Sequence, residues 1–246
     1  MKRILSLILL FWSAALSAAP LDKDTVIQGL IEKYGGRQIT NDHALASGTI
    51  YYADNTSKSF TLTAKKRILR MDLQSPDQAM TIVRHDGRSQ ITRGEDIDYP
   101  NRTPRYGSGI NLLPIFALLE FSDDQRFTST VVQEKEGTIS IKFVEGTPPG
   151  IKPPPFPQPK LFVSFSLDSA GRINKTVYSQ EGGSAKTTTY QYFYDTSVAG
   201  AFLQPNRIIC KIDDNQAWNA TVDGARKQVS VPDNFFKILE TRERMK

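Results

Sequence analysis

From Ser47 onward the apolar residues of this chain recur at every second position, and that period confines it to strands with one dry face and one wet face. Gly48-Thr49-Ile50-Tyr51-Tyr52 is β-branched and aromatic, and Phe60, Leu62 and Ala64 alternate with threonines. Leu69, Met71 and Leu73 alternate with Arg70 and Asp72. Met80 and Ile82 lead into His85-Asp86-Gly87-Arg88, where Asp-Gly signals a hairpin, and 89–93 returns. Residues 127–134 and 138–145 follow, with Ile139, Ile141 and Phe143 on one face. Leu161, Val163, Phe165 and Leu167 then alternate with Phe162, Ser164 and Ser166 before the turn 168–171. Residues 172–179, 187–194, 207–212, 218–222 and 227–231 complete the pattern, which predicts roughly ten or eleven strands in a curved antiparallel sheet.

Two segments break the period. Asp22-Lys23-Asp24-Thr25 opens a helix in which Val26, Ile27, Leu30 and Ile31 share a face, and Gly35-Gly36 ends it. Residues 111–121 form a second helix, with Pro114 tolerable only in its first turn. This one is apolar nearly all round. Either protein covers both its sides, or one side faces something else.

Ahead of the first helix stands an export signal, residues 1–19. Lys2-Arg3 precedes the apolar run 4–12 and the small residues 13–19, and cleavage falls between Ser17 and Pro20. The alternative, an uncleaved anchor, meets the objection that the run is far shorter than the roughly 20 residues a spanning helix needs. Residues 20–246 are expected to form one domain, whose size lets it bury roughly 70% of its unfolded surface. The formal charge of +5 drops to +3 when Lys2 and Arg3 leave with the signal, and the charges are interspersed. That balance gives no footprint for nucleic acid. Cys210 is the only cysteine, so the fold has no internal disulfide and the signal junction has no thiol to acylate. A monomer that is soluble or held by partners, rather than lipid-anchored, is expected. Residues 147–159 contain seven prolines and cannot join a ladder; an extended structural loop fits their place between two strands better than a PxxP ligand.

No catalytic apparatus is visible. The histidines, His43 and His85, have no metal-ligand spacing, and one cysteine supplies no zinc or iron–sulfur set. No G-x-S-x-G elbow, P-loop or G-x-G-x-x-G occurs. Asp96, Asp98, Asp123, Asp124, Asp213 and Asp214 sit in polar stretches and read as solvated turn residues. The chain is therefore expected to be no enzyme, with no cofactor and no metal.

The order of signal, short helix, Gly35-Gly36 and strand, then Phe60-Thr61-Leu62-Thr63-Ala64-Lys65-Lys66 and Leu69-Arg70-Met71-Asp72-Leu73, resembles the periplasmic lipoprotein-carrier superfamily. Its members include the LolA and LolB lipoprotein-sorting proteins and RseB-like sensors. Met80-Thr81-Ile82-Val83 with the Asp86-Gly87 hairpin, the apolar helix, the long meander and the late Val231-Pro232-Asp233 with Phe235-Phe236 continue the likeness over most of residues 20–246. The resemblance implies a periplasmic protein with an unclosed β-barrel, whose concave apolar face is lidded by helices and holds acyl chains. The chain departs from the plain carriers in its proline-rich excursion, and the missing acylation cysteine disfavours the membrane-anchored branch.

On that reading the ligands are acyl chains or a lipidated partner. The candidate contacts are Phe60, Leu62, Leu69, Met71, Ile139, Ile141, Phe143, Val163 and Phe165, with Leu112, Leu113, Phe116 and Leu119 from the lid. The competing reading makes these residues an ordinary core, and the chain a module that presents its sheet or proline-rich loop to an envelope protein. A hydrolase with an unrecognised site is a third reading.

Overall fold

The computed structural model describes residues 22–36, 42–65, 68–85, 88–98, 109–133, 138–147, 150, 159–182, 186–200, 202–228, 230–232 and 234–238. The expected signal, the Asp86-Gly87 turn and most of the proline-rich stretch lie outside them. Helix α1 (Lys23–Lys33) starts and stops by local chemistry. The Asp22 carboxylate accepts from the Thr25 amide at 2.9 Å and the Thr25 hydroxyl at 2.8 Å. At the far end the Gly36 amide reaches back to Ile31 O and the Gly35 amide to Glu32 O, with both glycines at positive φ. This paired pattern closes the last turn without a side chain.

The strands are β1 (His43–Tyr52), β2 (Ser57–Lys65), β3 (Ile68–Gln74), β4 (Ala79–His85), β5 (Arg88–Arg93), β6 (Asp96–Asp98), β7 (Phe127–Gln133), β8 (Ile139–Glu145), β9 (Leu161–Leu167), β10 (Ile173–Gln180), β11 (Thr188–Phe193), β12 (Ala199–Gly200), β13 (Arg207–Ile212) and β14 (Asn215–Gln228). Thirteen lie antiparallel in one sheet, in the order β6-β5-β4-β3-β2-β1-β14-β13-β11-β10-β9-β8-β7, and β12 adds a short parallel pair to β14. The count exceeds the expected ten or eleven. β6 and β12, at three and two residues, are too short to display a period. Conversely, residues 218–222 and the first two of 227–231, read separately from the sequence, belong to the single strand β14. Asp223 is an extra residue there: Ser47 pairs with Gly224 while Gly48 pairs with Val222. Such a bulge shifts the alternation by one, which is what the sequence pattern registered as a break.

Within the sheet the chain runs outward from β1 to the β6 edge, crosses to the β7 edge, and runs back until β14 closes against β1. β6 and β7 do not pair, so the barrel is unclosed. The crossing segment carries a 3-10 turn (Gly109–Leu112) and helix α2 (Pro114–Ser122), with Pro114 in the first turn as the sequence required. Eight consecutive α2 residues, from Pro114 to Phe121, are buried. Apart from Glu120, this stretch is apolar all round because protein surrounds it. No helix among the described residues is long and apolar enough to cross a membrane.

Candidate functional site

The residues drawn from the alternation converge on the concave face from both halves of the sheet. Phe60 and Leu62 of β2 lie opposite Leu73 and Met71 of β3. On the other side of the β1–β14 seam, Ile141 and Phe143 of β8 lie opposite Phe165 and Val163 of β9. Those residues and Leu69 are buried in one continuous cluster with Leu112, Leu113, Phe116 and Leu119. Ile139, at the start of β8, is half-buried at its margin.

The crossing segment touches both halves. A side chain at Gly109 would run into the Met71 sulfur, so the turn lies directly on β3. At the other end Phe121 packs on Phe127 at 5.0 Å edge-on, and on Tyr178, Phe143 and Phe165 at 5.8, 6.0 and 6.2 Å. Such ring pairs each contribute about 0.5–1.5 kcal/mol beyond their area. Phe121 is thus the hub of the aromatic cluster, yet it is absent from the residues picked by sequence. Its place at the end of an apolar helix marks it only once the helix is known to lie inside.

Polar anchors are few. The Tyr178 hydroxyl donates to Asn111 Oδ1 at 2.6 Å, and Gln204 Nε2 donates to Leu112 O at 2.6 Å. Arg84 of β4 pairs with Glu120 of α2, both nearly inaccessible to water. Sequence reasoning passed over Arg84, although it continues the Met80-Ile82 face and a charge on an apolar face calls for a buried partner. Helix α1 is fastened by Tyr34, whose hydroxyl accepts from the Ile173 amide at 3.0 Å and lies 2.5 Å from the Tyr194 hydroxyl. Since Tyr194 donates to Ile173 O at 2.9 Å, Tyr34 is the donor between the two phenols. Burial raises the pKa of the Tyr34, Tyr178, Tyr190 and Tyr192 hydroxyls above that of an ordinary phenol, so these phenols stay neutral.

Cys210 lies beside Tyr190 and Trp218 on neighbouring strands and is 2% exposed. Burial pushes its thiol up to about 12. At about pH 8, where an ordinary thiol is partly ionised, Cys210 is expected to react with a disulfide reagent only on the timescale of unfolding. Prompt labelling of native protein, followed by absorbance, would contradict this burial.

The outer face is different in kind. A groove of about 460 Å³ there is lined by Thr61, Thr63, Arg70, Asp72 and Phe235, among others. Arg70 is held by Asp72 at 3.0 Å and lies 4.5 Å from the Phe235 ring, so its charge is already engaged. Among the described residues no group of three or more His, Cys, Asp or Glu could hold a metal ion.

No protein-family model matches the chain, and no curated protein matches it. A solved structure does. The chain is similar to an outer membrane lipoprotein-sorting protein domain from Vibrio parahaemolyticus, with a TM-score of 0.53 at 14% identity, over 86% of this chain and 94% of that one. The two share a fold.

Proposed function

We propose that the protein is an exported, non-enzymatic carrier that holds acyl chains, or a lipidated partner, on the concave face of residues 20–246 after loss of the signal 1–19. The observation that carries the reading is an apolar helix lying in the hollow of an open lipoprotein-sorting sheet. Magnitudes make the exchange of helix for guest reasonable. Withdrawing Ile115, Phe116, Leu118, Leu119 and Phe121 from the hollow forfeits on the order of 8–15 kcal/mol, at about 1.5–3 kcal/mol each. A guest burying fourteen methylenes gains on the order of 11 kcal/mol. The two nearly balance, so α2 acts as a resident substitute for cargo. The periplasm is the compartment that the signal, the solved neighbour and the family resemblance together favour.

A second reading draws on the same helix. If α2 never leaves, the hollow is a finished core and the protein is an envelope interaction module that uses its surface or residues 148–159. Native mass spectrometry with lipid extraction, on protein purified from its own envelope, separates the two. Co-purifying phospholipid, fatty acid or lipopeptide is expected, with loss of that cargo in Leu69→Glu and Phe143→Glu variants that keep a native circular dichroism spectrum. Protein that arrives empty and takes up no hydrophobic probe would sink the carrier reading.

A further inference from the structure

The two edges of the open sheet are protected very unequally. β6 offers three residues, two of them aspartates, and such a short, charged edge repels an incoming strand. β7 offers seven residues, Phe-Thr-Ser-Thr-Val-Val-Gln, with no charge, no proline and no bulge against β8. Its hydrogen-bond phase is fixed by the Gly146 amide donating to Arg126 O at 2.7 Å. Because antiparallel pairs alternate, Thr128, Thr130 and Val132 turn their backbone groups to β8, and Ser129, Val131 and Gln133 turn theirs outward. The Phe127 amide, also on the outward side, is taken by Asp124 O. Among the described residues no strand pairs with the outward row of Ser129, Val131 and Gln133.

We infer that the β7 edge is a dimerisation site, where a second copy of this chain adds its own β7 antiparallel across a two-fold axis at Thr130. The strand is its own complement in that register. Ser129 and Val131, which both point their amides and carbonyls outward, fall opposite the partner copy's equivalents in exchanged order, as a hydrogen-bonded pair requires. Thr128 meets Val132, Phe127 meets Gln133, and Thr130 meets itself, a threonine pair of the kind that favours cross-strand contact. No like charges confront each other. An unrelated extended segment could use the same hydrogen bonds, but the uncharged, self-complementary register selects the second copy. A seven-residue ladder is a small interface, so the dimer is a reversible one that forms as concentration rises.

Sedimentation velocity of the mature chain over a range of concentrations tests this. Wild type is expected to shift from monomer to dimer. Thr130 is exposed, so Thr130→Lys and Thr130→Glu leave the monomer fold intact while placing like charges on the axis. Each variant alone is expected to weaken the dimer several-fold, and an equimolar mixture to restore it. Val131→Pro removes an outward amide that has no backbone partner among the described residues, and is expected to abolish the dimer with little change in melting temperature. A wild type that stays monomeric throughout, or a dimer that Thr130→Lys and Val131→Pro leave untouched, overturns the inference.

Discussion

Glu120→Ala is expected to destabilise the protein by about 3–5 kcal/mol, a large part of the roughly 5–15 kcal/mol that holds a typical domain together. The side chains of Arg84 and Glu120 are 5% and 9% exposed, so removing the carboxylate takes the Glu120 ion pair from a guanidinium held in the core. The cost belongs to depriving a buried guanidinium of this carboxylate rather than to the net worth of the pair, because two ions taken out of water recover little more than their lost hydration. The double variant Arg84→Met/Glu120→Leu is therefore expected to regain most of the loss. Urea unfolding of wild type, single and double variants measures this directly. Equal losses in the single and double variants would mean that the pair itself stabilises the fold, contrary to this account.

Gly48→Ala is expected to be nearly as damaging, at about 3 kcal/mol, the upper part of the range for overpacked sites. A β-carbon there would stand 1.9 Å from the Thr221 carbonyl oxygen and 3.0 Å from the Phe60 ring. The obstacle is backbone in the middle of the sheet, so relief requires β1 and β14 to part next to their bulge. Gly29 is the control. Nothing lies within 4 Å of its would-be β-carbon, and it sits inside α1, so Gly29→Ala is expected to add about 0.5–1 kcal/mol. Thermal melts of both variants give the comparison; a Gly48→Ala protein as stable as wild type would mean that the seam yields easily.

Much of this architecture could be read without coordinates because period-two alternation is a property of single strands. It placed Phe60, Leu62, Leu69, Met71, Ile141, Phe143, Val163 and Phe165 on the buried side, where they are. The ends of α1 were legible for a similar reason, since Asp22 and Gly35-Gly36 act on backbone groups a few residues away. What stayed hidden depends on distant partners. Tyr34 falls outside the apolar face Val26, Ile27, Leu30 and Ile31 read for the first helix, and is wholly buried because Ile173 and Tyr194 meet it from another part of the chain. Asn111 and Gln204 look like ordinary polar residues until the fold sets them against Tyr178 and Leu112. The surroundings of α2 follow from the crossing between β6 and β7, which no local pattern encodes.

The meeting of β1 with β14 at mid-sheet also bears on when this protein can fold. Ala44 pairs with Lys227, far away in sequence, whereas β1 to β6 and β7 to β11 pair between neighbours in sequence. Local meanders close cheaply and fast, while contacts of high sequence separation wait for the loop between them. Each half of the sheet can form while the polypeptide is still being synthesised, but the seam cannot close until β14 has emerged. Completion of the sheet thus waits on β14, and the two halves can stand formed side by side before the seam between them exists.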